Sequence, residues 1–184
     1  MNITIREARE ADIPRILEIY APYVKHTTIS FEYEVPSPES FTERFRQVTS
    51  RFPWLVCEAD GIVVGYAYGS PAFERAAYQW NADLSVYLDE AYTGMGLGGK
   101  LYDALLPLLK KQGIRRVYAL VTSENFRSMN WHTAMGFHEV ARFPRTGYKL
   151  GIWLDVIWYE KVLIPCVGEP FPVTDFPCCR ESDT

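Results

Sequence analysis

The spacing of apolar positions changes along the chain between a helical period and a strand-like period. From residue 13 to residue 24, apolar side chains recur every three or four positions, which predicts a helix with one buried face. Asp12 is suited to cap this helix, and Pro14 falls in its first turn, where a missing N–H costs little. Ser37-Pro38 predicts the start of a second helix, which we expect to end before Pro53.

Several segments alternate between apolar and polar residues as half-buried strands do. Ile3 to Arg6 is the first candidate strand. Trp54 to Ala59 and Ile62 to Tyr68 flank Asp60-Gly61, and this dipeptide is a strong signal for a hairpin turn. Tyr78 to Leu88 alternates again and predicts a third antiparallel strand. The order predicts an antiparallel meander that leads into a glycine-rich segment.

The second half of the chain returns to mixed elements. Its predicted elements, in order, are a helix at Leu97 to Gly113, a buried strand at Val117 to Val121, a short helix at Ser128 to Met135, and strands near Phe137 to Phe143 and Ile152 to Leu163. From residue 165 onward the chain has several prolines and no periodicity. We therefore expect an α/β (α+β) domain over residues 1–164, with a mixed, mostly antiparallel sheet flanked by helices, and a C-terminal tail over residues 165–184.

Composition narrows the class of protein. The 184 residues are 48% hydrophobic and carry a formal charge of −4, so a packed core is expected and a basic nucleic-acid surface is not. The apolar runs are shorter than a membrane span, and the amino terminus is charged, which favours a cytoplasmic protein without nucleic-acid or membrane partners. The four cysteines, at 57, 166, 178 and 179, lack metal-site spacing, so no metal is expected.

The glycine-rich segment matches two nucleotide-binding motifs without their context. Gly94-x-Gly96-x-x-Gly99 fits the dinucleotide fingerprint, but the strands before it are antiparallel rather than parallel. The same segment followed by Lys100 resembles a phosphate-binding P-loop, but Leu101 stands where a serine or threonine is needed. Glycine amides at a helix start still favour a phosphate-bearing ligand, and a turn without any ligand is the alternative.

The order of the elements resembles the GNAT acetyltransferases, whose glycine loop grips the pyrophosphate of acetyl-CoA. Thr93 departs from the usual Gln or Arg at the start of that loop. Further motifs resemble the phosphinothricin N-acetyltransferase family and the methionine sulfoximine and sulfone acetyltransferases, across residues 3 to about 160. They are Ser30-Phe31-Glu32, Pro53-Trp54-Leu55-Val56, Val64-Gly65-Tyr66-Ala67-Tyr68, Ala77-Tyr78-x-Trp80, Ser85-Val86-Tyr87, His132-x-x-x-Gly136-Phe137 and Gly147-Tyr148-Lys149-x-Gly151-x-Trp153-x-Asp155.

The resemblance implies a reaction and a co-substrate. An amine would attack the thioester of acetyl-CoA directly in a ternary complex, and the protein would form a homodimer. The implied coenzyme-binding residues are Val86, Tyr87, Leu88, Gly94, Met95, Gly96, Leu97, Gly98, Gly99 and Asn125.

Two residues are candidates for the base that must deprotonate an ammonium group. Asp83 lies on the strand before the loop, where the resembling family usually has glutamate, so its shorter side chain would act through a water. A carboxylate on a strand surface can also be simply solvated. His132 matches the family's active-site histidine, but a lone histidine can equally be structural.

The resemblance also implies a small amino acid as the acceptor, such as phosphinothricin or methionine sulfoximine or sulfone. Glu32 would hold its ammonium group, Arg75 and Lys149 would hold its oxygens, and Tyr78 would form a wall, although large aromatic residues are often core. Two other functions remain open. Thr93 and Asp83 would suit a non-catalytic acyl-CoA sensor, and related enzymes acetylate protein amino termini.

Overall fold

Seven strands and five α-helices follow one another over residues 1–181, the part of the chain that the computed structural model describes. They are β1 (Ile3–Glu7), α1 (Ile13–His26), α2 (Pro38–Thr49), β2 (Trp54–Ala59), β3 (Ile62–Pro71), β4 (Asn81–Leu88), α3 (Leu97–Gln112), β5 (Arg116–Thr122), α4 (Phe126–Ala134), β6 (His138–Lys149), β7 (Ile152–Val162) and α5 (Phe176–Glu181). The order and type of the predicted elements are confirmed from β1 to β7, although β6 ends six residues later than predicted. Helix α5 was not predicted, because the tail shows no periodicity.

The strands form one sheet in the order β1-β2-β3-β4-β5-β7-β6. All neighbouring pairs are antiparallel except β4 and β5, which run parallel. The hairpin between β2 and β3 turns at Asp60 and Gly61, both with positive φ, as the Asp-Gly signal predicts. The predicted fold class, a mixed and mostly antiparallel sheet flanked by helices, is therefore confirmed.

The parallel pair of strands separates after three residues. Asn81 to Asp83 pairs with Arg116 to Tyr118, and beyond that point β4 continues along β3 while β5 continues along β7. A gap therefore opens between the carboxyl-terminal halves of β4 and β5. Asp83 is the last residue of β4 in the parallel ladder, so it stands where the gap begins.

The helices cover both faces of the sheet and bury two apolar clusters. On one face, α3 packs Leu101, Leu105 and Leu109, each fully buried, against the middle strands. On the other face, α1 and α2 cover a cluster that includes Trp54 and Tyr66. Burying each large apolar side chain contributes about 1.5–3 kcal/mol, so these two layers fix the strands that frame the gap.

The start of α1 differs from the sequence expectation. Asp12 occupies the N-cap position, but its carboxylate accepts hydrogen bonds from the Arg6 guanidinium at 2.8 Å and from the Arg9 backbone N–H at 2.7 Å. A short 3₁₀ turn over residues 10–12 leads into the helix in place of a capping bond. Arg6 gives this carboxylate two parallel charge-assisted hydrogen bonds, one to each oxygen, so the carboxylate turns toward Arg6.

The C-terminal tail is attached to the domain at several points. The Gln112 side-chain amide at the end of α3 donates to the carbonyls of Arg51 and Thr174, at 2.7 and 3.0 Å. The Trp80 indole N–H donates to the Phe171 carbonyl at 2.7 Å. Residues 182–184 of the predicted tail, and the Cys178 side chain, lie outside the described residues. The division at residue 164 stays a prediction.

Candidate active site

A cavity of about 790 Å³ occupies the gap between β4 and β5. Its lining comes from β4, β5, α3 and α4, and also from α2 and the segment that follows α1. Asp83, His132 and Asn125 line it together with two residues that the sequence analysis did not select, Tyr102 and Arg44. The fold therefore brings both candidate bases to one cavity.

Asp83 faces the cavity with little polar support. The Leu84 backbone N–H donates to Asp83 Oδ1 at 2.9 Å. Burial raises the pKa of Asp83 from 3.8, and the hydrogen bond from Leu84 offsets only part of this rise, so that the pKa is about 7. A carboxylate with that pKa gains and loses a proton near neutral pH, as a general base requires.

His132 is held from both sides of its ring. Nδ1 lies 2.9 Å from the Ser128 carbonyl oxygen one helical turn earlier, and it must donate there because a carbonyl only accepts. Nε2, left with its lone pair, lies 3.3 Å from the Tyr102 hydroxyl. The side chain is 3% exposed, and burial lowers the pKa of His132 to about 4. The imidazole is therefore neutral at physiological pH.

Tyr102 is linked to both candidates, since its hydroxyl lies 3.3 Å from His132 Nε2 and the charge of Asp83 acts on it. It is fully buried on α3, and burial raises the pKa of its hydroxyl well above 10, with the Asp83 charge adding to the effect. Because Tyr102 follows Leu101 on the apolar face of a helix, its sequence position is typical of a core residue. No local pattern distinguishes it as part of a site.

The glycine loop prepares the start of α3 for an anion. Gly94 and Gly96 have φ values of 84° and 75°, a conformation that favours glycine, and Gly96 is the N-cap of α3. The N–H groups of the first helical turn have no acceptor within a helix. An added Cβ at Gly98 would lie 3.3 Å from the Trp131 ring, so a side chain there would be crowded. The loop therefore fits a bound pyrophosphate.

The remaining coenzyme candidates are divided between the cavity and its rim. Val86, Tyr87 and Asn125 line the cavity. Asn125 Oδ1 accepts from the Ser128 backbone N–H at 3.1 Å, so this side chain also caps α4. The Leu88 carbonyl, at the end of β4, accepts a hydrogen bond from the Tyr23 hydroxyl at 2.6 Å. Met95 is exposed in the glycine loop.

The four acceptor candidates are only partly brought together. Glu32 lines the cavity and forms an ion pair with Arg44. Lys149 is buried outside the lining, and its Nζ donates to the Ser30 carbonyl, while burial lowers its pKa. Arg75 and Tyr78 are exposed beyond β3 and do not line the cavity. Arg44, and not Arg75, is thus the arginine that reaches this space.

Comparison with known proteins agrees with this geometry. Residues 5–158 match the family model described as an acetyltransferase (GNAT) domain. A phosphinothricin N-acetyltransferase of Streptomyces viridochromogenes is 33% identical, over 94% of this chain and 95% of that protein. An L-methionine sulfoximine/L-methionine sulfone acetyltransferase of Pseudomonas paraeruginosa is 34% identical, over 92% and 100%. The crystal structure of a phosphinothricin acetyltransferase from Sinorhizobium meliloti, in complex with acetyl-CoA, covers 96% of this chain and 99% of its own, with a TM-score of 0.89 and 31% identity.

The chain belongs to the GNAT acetyltransferase family. The predicted resemblance is therefore confirmed, and the protein is an acetyl-CoA-dependent N-acetyltransferase. In this GNAT domain the described helices include none long and apolar enough to cross a membrane. Over the same residues, no three His, Cys, Asp or Glu side chains cluster as metal ligands would.

Two residues of this GNAT site were missed for different reasons. Tyr102 has the sequence signature of the core, as described above. Arg44 belongs to the polar side of α2, where an arginine is ordinarily solvated. Only the tertiary structure brings Arg44 to the cavity, where it pairs with Glu32, and that pairing leaves no mark in the local sequence.

Proposed function

We propose that the protein transfers the acetyl group of acetyl-CoA to the α-amine of a small amino acid whose side chain ends in an oxidised sulfur or phosphorus group. The observation that carries this proposal is Asp83, a cavity-lining carboxylate with a pKa of about 7, at the fork between β4 and β5. The similar proteins named above, which act on methionine sulfoximine, methionine sulfone or phosphinothricin, support the acceptor class.

Acetyl-CoA would bind along the loop and the end of β4. The N–H groups from Gly94 to Gly99 would hold the pyrophosphate, and Thr93 would offer a shorter side chain than the family's Gln or Arg. Main-chain groups of Val86 to Leu88 would hold the pantetheine arm, with Asn125 beside them. This arrangement would direct the thioester into the gap where Asp83 stands.

Asp83 would take a proton from the acceptor ammonium, directly or through a water. The free amine then attacks the thioester carbonyl, and coenzyme A leaves as the thiol. His132 is neutral, and its one lone pair already faces the Tyr102 hydroxyl, so it would position neighbouring groups rather than accept the substrate proton.

A turnover screen tests the proposal against the alternatives. Acetyl-CoA would be offered with free amino acids, their oxidised analogues, and peptides with different amino termini. We expect methionine sulfoximine, methionine sulfone or phosphinothricin to give the highest kcat/KM. Coenzyme A binding without any turnover would favour the acyl-CoA sensor, and faster transfer to peptides would favour a protein amino-terminal acetyltransferase.

We also propose that the protein is a cytoplasmic homodimer. Tyr148, Leu150, Ile152 and Trp153 are exposed apolar side chains around the turn between β6 and β7, and β6 is an edge strand of the sheet. Exposed apolar patches at a sheet edge commonly mark an interface. Light scattering that gives the 21.2 kDa monomer mass at working concentration would contradict the dimer.

A further inference from the structure

An arginine that the proposed function does not use lies beside the glycine loop. Arg127 stands near the start of α4, two residues after the N-cap Asn125. An added Cβ at Gly94 would lie 3.3 Å from Arg127 Nη2, so the guanidinium is close to the loop backbone. The loop follows β4, whereas α4 follows β5 on the other side of the gap. Arg127 therefore reaches across the coenzyme end of the gap.

The packing of α4 directs Arg127 to the loop. Trp131 lies one helical turn after Arg127, so the two side chains share one face of α4. An added Cβ at Gly98, in the first turn of α3, would lie 3.3 Å from the Trp131 ring, and the rings of Trp131 and Tyr102 are 4.9 Å apart. The face of α4 that carries Arg127 thus lies along the loop and the start of α3.

The Arg127 guanidinium is not neutralised by the protein. Among the residues that the structure describes, none forms an ion pair or a hydrogen bond with it. Asp89, where β4 ends, is used elsewhere, because its oxygens accept hydrogen bonds from the Arg15 guanidinium and from the Ala91 backbone N–H. The charge of Arg127 is therefore available to an anionic ligand.

The position of Arg127 within α4 is unfavourable for a cation. The first turn of a helix carries the positive end of the helix dipole, and acidic side chains are preferred there. The start of α3, with Gly96 as its N-cap, brings a second set of unpaired N–H groups to the same loop. Two helix starts and one guanidinium thus place positive potential around the loop. An anionic ligand at this point would stabilise all three.

Thr93 leaves the loop without a side-chain donor for such a ligand. Its hydroxyl donates to the Glu90 carbonyl at 2.9 Å, so the one hydroxyl hydrogen is already used. The resembling families usually have Gln or Arg at this position, and both of these side chains carry N–H donors. Arg127 brings N–H donors to the loop from the opposite side.

We propose that Arg127 binds the pyrophosphate of acetyl-CoA and supplies, from α4, the side-chain contact that Thr93 does not make. A guanidinium presents paired N–H donors in a plane, which match two oxygens of a phosphate group. The loop amides would bind the pyrophosphate from the α3 side, and Arg127 would bind it from the α4 side. This inference rests on the proposed placement of the pyrophosphate on the loop.

Dissociation constants for coenzyme A, measured by calorimetry without an acceptor, test the inference apart from turnover. Arg127→Gln should weaken binding roughly tenfold, the lower end for a hydrogen bond between charged groups, because Arg127 is exposed. Arg127→Lys keeps the charge and loses the planar fork, so its affinity should be intermediate. Lys110→Gln removes an exposed cation at the far end of α3 and is the matched control. Full affinity in Arg127→Gln would overturn the inference.

A second ligand identifies the phosphate that Arg127 binds. Dephospho-coenzyme A keeps the pyrophosphate and lacks the phosphate on the ribose. Arg127→Gln should therefore lose the same factor in affinity for both ligands. A loss that disappears with dephospho-coenzyme A would place Arg127 at the ribose phosphate, and the assignment to the pyrophosphate would be wrong.

Kinetics and thermal melting separate binding from a structural role. Arg127→Gln should raise KM for acetyl-CoA far more than it lowers kcat, because the pyrophosphate contact is the same in the ground state and the transition state. Without ligand, its melting temperature should be unchanged or higher, since a cation is removed from a helix start. A lower melting temperature together with an equal loss of kcat would make Arg127 a structural residue and refute the inference.

Gly98→Val distinguishes this inference from the proposed placement of the coenzyme. Valine would be crowded by Trp131 and would displace the loop amides, so coenzyme A affinity should fall. Full affinity in Gly98→Val with a loss in Arg127→Gln would refute the placement on the loop and uphold the contact with Arg127. A loss in Gly98→Val with full affinity in Arg127→Gln would uphold the placement and refute the inference.

Discussion

Strand β4 and helix α4 form two walls of one cavity, and each carries a titratable side chain that burial has driven toward its neutral form. The pKa of Asp83 on β4 is raised to about 7, and that of His132 on α4 is lowered to about 4. The two differ in what holds them. Asp83 accepts a single backbone hydrogen bond, whereas both ring nitrogens of His132 have partners.

That difference separates a group that can exchange protons from a group that supports its neighbours. Asp83 changes its charge near neutral pH, and one of its oxygens faces the cavity without a hydrogen-bond partner among residues 1–181. His132 stays uncharged through that range, and its tautomer is fixed by the Ser128 carbonyl. The comparison therefore favours the proposal that proton transfer occurs at the β4 wall, and four experiments can break or sharpen that proposal.

The largest expected effect comes from Asp83→Asn. Removing the base should lower kcat by roughly 10²–10⁴-fold, since general-base catalysis contributes about that much, while KM for acetyl-CoA stays unchanged. Steady-state kinetics with the best acceptor from the screen measures both. Asp103→Asn, which alters an exposed carboxylate on α3, is the control and should keep full activity.

The pH dependence sharpens the same test. Because Asp83 must be ionised to act, kcat/KM should rise about tenfold per pH unit below about 7 and level off above it. The rise should disappear in Asp83→Asn. A rise that survives in this variant would mean that another group titrates, and the β4 wall would lose its assigned role.

The coenzyme side and the acceptor side of the cavity were not equally predictable from the sequence. Alternation along β4 and the glycines after it are local patterns, so the strand and the loop could be located before the structure. The family resemblance then pointed to Asp83 on that strand. The acceptor side depends on segments far apart in the chain. Arg44 reaches the cavity only through the tertiary packing of α2, and Arg75, which the family resemblance suggested, is exposed outside it. Short-range spacing does not encode such contacts.

His132→Ala should have a smaller effect on kcat, about tenfold, and a clear effect on stability. The change removes a 3% exposed ring with hydrogen bonds at both nitrogens, so we expect unfolding free energy to fall by about 2–4 kcal/mol. Kinetics and thermal melting of the same preparation measure the two effects. His138→Ala, at an exposed histidine on β6, is the control.

The opposite pattern would exchange the roles of the two walls. If His132→Ala lost as much kcat as Asp83→Asn and melted at the temperature of the unaltered protein, the α4 wall would carry the base. Asp83 would then be a positioning residue.

The smallest expected effect is a gain in stability from Asp83→Asn that depends on pH. The folded carboxyl has a pKa of about 7 and the unfolded one about 3.8, so the folded state holds a proton that the unfolded state has lost between these values. Stability is therefore unaffected by this group at low pH, falls as pH rises from about 4 to about 7, and stays reduced above that.

Asparagine removes the cost of ionising a buried carboxyl. From the two pKa values, the gain in unfolding free energy of the variant above pH 7 would be about 4 kcal/mol. Water in the cavity should reduce this gain to about 1–2 kcal/mol, which corresponds to roughly 2–8 °C in melting temperature. Thermal melts should therefore show the variant above the unaltered protein at pH 8 and level with it at pH 4. Equal melting temperatures at both pH values would mean that Asp83 is a solvated strand carboxylate. The proposed difference between Asp83 and His132 would then be wrong.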